Sequence, residues 1–382
     1  MRLGVAKALV GGDWVDGDVE VRDGRIAAVG IGAPSGSKLA VPGFVDLQVN
    51  GYAGVDFSAP GEDGYARAGA ALLADGVTAF QPTILTAQGE EMAAALAAVP
   101  PAPSGDAAGG SGEDDARTPG AERSRGPRII GAHLEGPFLS RERAGAHDRA
   151  ALRDPDLARL ERLLEAGSVS QVTLAPELPG ALELIDALRA RGVTVSCGHT
   201  EADAAAAHAA FDRGATAVTH LFNGMRRPEH RDPGIAYAAL GRDDVFITLI
   251  VDGHHLADDT VRAAARAAGE RLVLISDAVA AAAAPDGDYT LGGNVAIHAA
   301  AGAVRNDAGS LAGSTLTMLD AVRNLHALGV PLAAALRAGT ETPALMAGRL
   351  DLGRIEPGAR ADLVVLDDSL EPATVFLAGR PA

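Results

Sequence analysis

The sequence predicts an α/β protein: a (β/α)8 TIM-type barrel with a small β-sandwich domain built from both chain termini. Three observations carry this expectation. Through the middle of the chain, short β-branched runs alternate with Ala/Leu-rich helical stretches, the pattern of βα units on a parallel sheet. About eight such runs are present, the number that closes a barrel. Strand-like alternation flanks this region on both sides, so residues 1–41 and 350–382 are expected to meet in one small domain around a barrel of residues 42–349. At 382 residues the chain is long for one core, but barrels of this class routinely run that far as one unit.

Taken in order, residues 1–41 alternate apolar and polar between turn signals at Gly11-Gly12, Asp16-Gly17 and Asp23-Gly24, which predicts a few short antiparallel strands. The barrel strands are expected near 44–48, 77–81, 128–133, 171–175, 193–197, 215–219, 245–250 and 272–276, with crossover helices such as 201–212 and 257–268 between them. Residues 100–127 break the pattern. They are rich in Pro, Gly, Ser, Ala and charge and hold almost no large apolar residue, so they read as a flexible surface insertion with no catalytic part. Beyond the barrel, 354–358 reads as a turn, and 361–366 and 374–377 read as strands.

Hydrophobic residues make up 47% of the chain and charged residues 22%, a balance that supports a packed core. The formal charge of −17 and pI near 5.0 are the opposite of a nucleic-acid-binding footprint, and an anionic ligand would need a local cationic pocket. No apolar run reaches the roughly 18 residues of a membrane span and the first residues lack a signal-peptide pattern, so the expected location is the cytoplasm. The single cysteine, Cys197, excludes an intrachain disulfide and reads as a buried small residue. His208 reads as a surface residue and His326 as a packing residue.

Active sites of such barrels lie at the C-terminal ends of the strands. Polar residues following the apolar runs form a coherent set: Gln48 and Asn50; His133 and Glu135; His199; His220 and Asn223; Asp252, His254 and His255; and Asp277. Two imidazoles and a carboxylate from different strands, Glu135, His199 and His220, make a three-ligand site with room for water, a common first shell of catalytic zinc.

The runs Pro42-Gly-Phe-Val-Asp-Leu-Gln-Val-Asn-Gly51, His133-Leu-Glu-Gly-Pro-Phe138, Gly145-Ala-His147, Cys197-Gly-His-Thr200, His220-Leu-Phe-Asn-Gly-Met225, Asp252-Gly-His-His255, Ser276-Asp-Ala278 and Leu311-Ala-Gly-Ser314, in this order, resemble the N-acetylglucosamine-6-phosphate deacetylases of the amidohydrolase superfamily. The resemblance runs from about residue 40 to the end, interrupted only by 100–127. It implies hydrolysis of an acetamido group, with Asp277 as general base and then acid and His147 polarising the carbonyl. One divalent metal per subunit is implied, Zn2+ first, with Fe2+, Mn2+ or Co2+ compatible with the ligand set. Gln48 and Asn50 stand where amidohydrolases often carry a His-x-His metal pair, and since neutral amides replace imidazole poorly on a transition metal, they are expected as hydrogen-bonding neighbours or a weak second site. The resemblance also implies substrate contacts at Ala146, Asn223, Gly224, Arg231 and His255, with a closing turn at Leu311, Ala312 and Gly313. It further implies a homodimer in which Arg231 can act across the interface on the phosphate. The rival readings are another amidohydrolase acting on a cyclic amide or a different N-acylated substrate, and an inactive scaffold on the same barrel.

Overall fold

The computed structural model describes residues 1–33, 36–101 and 126–382. Most of the expected insertion at 100–127 therefore lies outside the described residues.

Eight parallel strands form the barrel: Phe44–Val49, Val77–Leu85, Ala132–Glu135, Val169–Leu174, Thr194–Cys197, Ala217–Val218, Phe246–Leu249 and Leu272–Leu274. Each pairs in parallel with the next in sequence. The ring closes through a parallel bridge between Val49 and Ala278, where the Asn50 amide donates to the Ala278 carbonyl at 2.7 Å. Strand faces that meet helices are Val, Ile and Leu, and one continuous apolar cluster runs through barrel and helices. Helix boundaries follow local chemistry. The helix Ala204–Arg213 starts where the Asp203 carboxylate accepts from Ala206 N at 2.8 Å, and it ends at Gly214, whose φ of +111° is inaccessible to most side chains.

The two termini share one sheet, ordered Asp13–Asp16, Lys7–Val10, Leu39–Pro42, Leu363–Leu366, Pro372–Leu377, Arg380–Pro381. A hairpin, Asp18–Arg22 with Arg25–Ile31, packs on it over a separate core that includes Val19, Ile26, Leu363 and Phe376. Not every pairing here is antiparallel: Lys7–Val10 runs parallel to Leu39–Pro42. The linker into the barrel is a single residue, Gly43, and a Cβ there would lie 2.0 Å from Thr78 Oγ1. Only glycine lets the two strands continue into each other at that spacing. Among the described residues, no helix is long and apolar enough to cross a membrane.

The (β/α)8 barrel with a terminal β-domain is as the sequence predicts, and local details differ. The third strand is Ala132–Glu135 rather than 128–133, because Gly131 (φ +99°) separates it from the short piece Arg128–Ile129. His133 therefore lies inside the barrel, not at its mouth. The second strand runs on to Leu85, since Gln81, Thr83 and Thr86 find buried partners rather than marking a loop. Leu311–Ser314 is not a turn but the edge strand of an antiparallel sheet with Gly287–Leu291, Val295–Ala300 and Ala303–Asn306. His326 is exposed and caps its helix through Val330 O at 2.8 Å rather than packing inside.

Candidate functional site

At the C-terminal mouth of the barrel lies a cavity of about 220 Å³. Its polar wall holds Asn50, Glu135, His147, His199, His220, Asn223, His255 and Asp277. Three of these side chains stand on left-handed backbone at non-glycine residues: His199 (φ +48°), His220 (φ +34°) and Asp277 (φ +50°). Each such residue costs about 1–3 kcal/mol, and strain of this kind gathers where side chains must be aimed.

Glu135 ends the third strand and is 2% exposed. Its Oε1 lies 3.1 Å from His199 Nε2 and 3.0 Å from His220 Nε2, and the two Nε2 atoms are 3.1 Å apart. The end of the third strand and the segments following the fifth and sixth strands thus converge on one point, with the candidate ligand atoms all within 4.8 Å of one another. The tautomer of His199 tests whether a cation fits. Its Nδ1 lies 2.8 Å from the Arg143 carbonyl oxygen, which only accepts, so Nδ1 carries the proton. With that as the ring's one proton, His199 points a bare Nε2 lone pair at a carboxylate oxygen, an arrangement that repels unless a cation sits between them. This is the orientation that a donor to an outer carbonyl gives to a metal-ligating imidazole. The chain thus offers a buried Glu/His/His set that fits a divalent metal. Burial opposes the Glu135 charge, yet the His199 and His220 imidazoles beside it hold the carboxyl well below its usual range.

The two first-strand amides bridge the acids. Gln48 Nε2 donates to Glu135 Oε2 and to Asp277 Oδ1, both at 3.1 Å, and Asn50 Nδ2 donates to Asp277 Oδ1 at 2.8 Å. Among the described residues no protein donor reaches Asp277 Oδ2, so one oxygen is anchored and the other is left for chemistry. Burial, with the Glu135 charge adding, pushes the Asp277 carboxyl up to about 6. His147 is 8% exposed and meets the His199 ring edge-on, with centroids 4.6 Å apart. Burial, with His199 adding, lowers it to about 3, so the ring is neutral.

Most residues singled out from the sequence line this one cavity: Asn50, Glu135, Ala146, His147, His199, His220, Asn223, Gly224, His255, Asp277, Leu311, Ala312 and Gly313. Gln48 sits just behind it as the amide bridge. Arg231 is exposed and does not line the cavity. Among the described residues, no lysine or arginine does. His133 is buried in the barrel between Thr83 Oγ1 (3.2 Å) and Thr173 Oγ1 (2.7 Å), and burial lowers it to about 4.

Sequence reasoning missed Glu177, three residues beyond the fourth strand. It accepts from the Thr200 hydroxyl and from Glu201 N at 2.7 Å, pinning the turn that presents His199. Its signal was available: it is an acid three residues past an apolar run, at a strand end. Leu291 and Leu85, which wall the cavity, carried no such signal.

A model of the amidohydrolase family matches residues 39–382. The chain belongs to the amidohydrolase family. Among curated relatives, this amidohydrolase is 39% identical to N-acetylglucosamine-6-phosphate deacetylase of Mus musculus, over 90% of this chain and 83% of that protein. It is also 35% identical to N-acetylgalactosamine-6-phosphate deacetylase of Escherichia coli O157:H7, over 97% and 96%. Among solved structures, it is similar to N-acetyl-D-glucosamine-6-phosphate deacetylase of Mycobacterium smegmatis, a mutant in complex with N-acetyl-D-glucosamine-6-phosphate, with 38% identity, TM-score 0.88 and coverage of 100% and 98%. The Thermotoga maritima N-acetylglucosamine-6-phosphate deacetylase gives 30% identity and a TM-score of 0.85, with coverage of 100% and 99%.

Proposed function

We propose that this amidohydrolase removes the acetyl group of N-acetylglucosamine 6-phosphate, giving glucosamine 6-phosphate and acetate. The observation that carries the reading is Asp277: a buried carboxylate anchored through Oδ1 by two amides, with Oδ2 available beside a Glu/His/His set. The relatives' names supply the substrate.

Glu135, His199 and His220 would hold one divalent metal, with Zn2+ as the assignment and Fe2+, Mn2+ or Co2+ compatible with the same donors. When bound, such an ion supplies Lewis acidity that brings the pKa of water towards about 7 and polarises a carbonyl. Asp277 Oδ2 takes the proton from the attacking water and then delivers it to the departing amine nitrogen, which leaves poorly unprotonated. A carboxyl raised towards neutrality suits both halves of that transfer. Neutral His147 donates to the acetyl oxygen as negative charge develops there, a contact of a kind worth about 3–4 kcal/mol of barrier. Ala146, Asn223, Gly224 and His255, with the Leu311–Gly313 edge, hold the sugar.

Among the described residues the cavity wall carries no lysine or arginine, so the phosphate is met from outside that wall. This supports a homodimer in which Arg231 of the partner subunit completes the site. The same reading places the enzyme in the cytoplasm and divides the chain into residues 1–41 plus 350–382 and 42–349.

The galactosamine relative favours a second reading, the C4 epimer as substrate. Acetate release is measured with metal-quantified enzyme on the two 6-phosphates and on unphosphorylated N-acetylglucosamine. Turnover of the glucosamine derivative, dependent on phosphate and collapsing in Asp277→Asn, is expected. Faster turnover of the galactosamine derivative shifts the assignment to the epimer. No acetate from either phosphate, with metal bound, overturns the reading and leaves another amide substrate.

A further inference from the structure

We propose that Asp252 is a positioning residue: it fixes the ring of His255 in the tautomer that presents Nε2 to the cavity as a hydrogen-bond acceptor for a sugar hydroxyl.

Asp252 lies just beyond the seventh strand, and the two side chains are 5% and 6% exposed. Asp252 Oδ1 accepts from the backbone N–H of His254 and of His255, each at 2.9 Å. Its Oδ2 lies 2.7 Å from His255 Nδ1. The carboxylate thus holds the turn and the ring at once, so the ring cannot rotate without losing the contact. Burial works against the Asp252 charge, yet the His255 hydrogen bonds hold the carboxyl down at about 2, which keeps it an acceptor at any working pH. Facing an ionised carboxylate, Nδ1 must carry a proton, and in the ring that holds only this one the lone pair falls on Nε2. His255 lines the cavity. A lone pair there matches the O–H of a sugar and repels an ionised phosphate oxygen, so the contact reads hydroxyls rather than the anion.

The inference rests on the proposed amino-sugar substrate, but its first test does not need one. Metal-loaded protein labelled with 15N-histidine reports which ring nitrogen of His255 is protonated, with His255→Ala assigning the signals. The expected result is a protonated Nδ1 and a bare Nε2. Asp252→Asn keeps an acceptor for the backbone N–H groups but can turn an N–H2 towards the ring, a change known to invert a histidine tautomer without moving it. That variant is expected to place the proton on Nε2. It should raise KM about tenfold or more, with kcat changed less and metal content retained. Combined with His255→Ala, it is expected to add no further loss. A wild-type ring protonated on Nε2, or an equal cost of Asp252→Asn with and without His255, overturns the proposal. If Asp252→Asn fails to fold, the wild-type spectrum alone decides. Wild-type protein that releases no acetate refutes the substrate reading instead, and the tautomer result stands apart from it.

Discussion

Gly224→Ala tests how tightly the candidate metal ligand His199 is held. Gly224 sits at φ +59°, and a Cβ there would lie 2.9 Å from His199 Nδ1, 3.2 Å from Cε1 and 3.4 Å from Cγ. Ordinary contacts between such atoms begin at about 3.5 Å, so the ring must retreat by roughly half an ångström. Nδ1 is at the same time bound to the Arg143 carbonyl at 2.8 Å, and the retreat loosens that bond. A left-handed alanine costs about 1–2 kcal/mol. A weakened buried hydrogen bond adds about 1 kcal/mol. The fold should therefore lose about 2–3 kcal/mol, a tolerable amount. The larger consequence is for the ion: disturbing an outer partner of a ligating histidine typically costs about 10–100-fold in metal affinity. Competition against a chromophoric chelator measures that affinity, and denaturant unfolding of apo and metal-loaded protein separates it from global stability. If metal affinity stays within about twofold of wild type while the protein is folded, His199 is not held as argued.

Asp351 bridges Arg128 at 2.7 Å and Arg349 at 2.8 Å. Burial opposes its charge, but the Arg349 and Arg128 hydrogen bonds hold its carboxyl well below the usual range. A folded pKa below the unfolded one contributes stability above about pH 4 that disappears as pH falls through the folded value. Asp351→Asn should thus lower stability at pH 7, by about 1 kcal/mol given that the carboxylate is half exposed, and the gap should narrow in acid, as read by unfolding at several pH values. Chelation should lower the melting temperature and restoring the metal should recover it, because apo protein leaves the His199 lone pair facing Glu135; identical melting curves would remove the metal from the site. Arg231→Ala should raise KM about tenfold or more at unchanged metal content. Mixing Arg231→Ala with Asp277→Asn subunits should recover activity if the arginine acts across the interface, and no recovery rejects that arrangement.

The barrel was legible because its two periodicities are written in the chain: β-branched runs to be buried on both faces, and Ala/Leu stretches of helix length between them. The gathering of Glu135, His199, His220 and Asp277 was legible for the same reason, since polar residues that end the parallel strands of a barrel collect at its mouth. What escaped depends on partners remote in sequence. His133 and Gln81 are polar residues inside strands, tolerated because Thr173, Thr83 and Ser170 come from neighbouring strands to bind them. Nothing local announces those partners. The sheet around Leu311–Ser314 was hidden because Gly and Ala at its residues weaken the alternation that marks a strand. Glu177 acts only by holding the His199 turn, and that role becomes visible when the two loops are seen together. Arg231 is exposed and lies off the cavity wall, a placement that the sequence around it does not signal.

The terminal sheet has a consequence for how the chain is made. Leu39–Pro42 runs through Gly43 straight into the first barrel strand, and its other edge is satisfied by Leu363–Leu366, more than three hundred residues away. Loop closure over that distance is entropically tolerable, but the contact is of the slowest-forming kind. A chain emerging from the ribosome cannot cover that edge until residues 363–366 are out. The edge of Leu39–Pro42 therefore stays open while every barrel strand is made, and the small domain is sewn shut only once the whole barrel has left the ribosome.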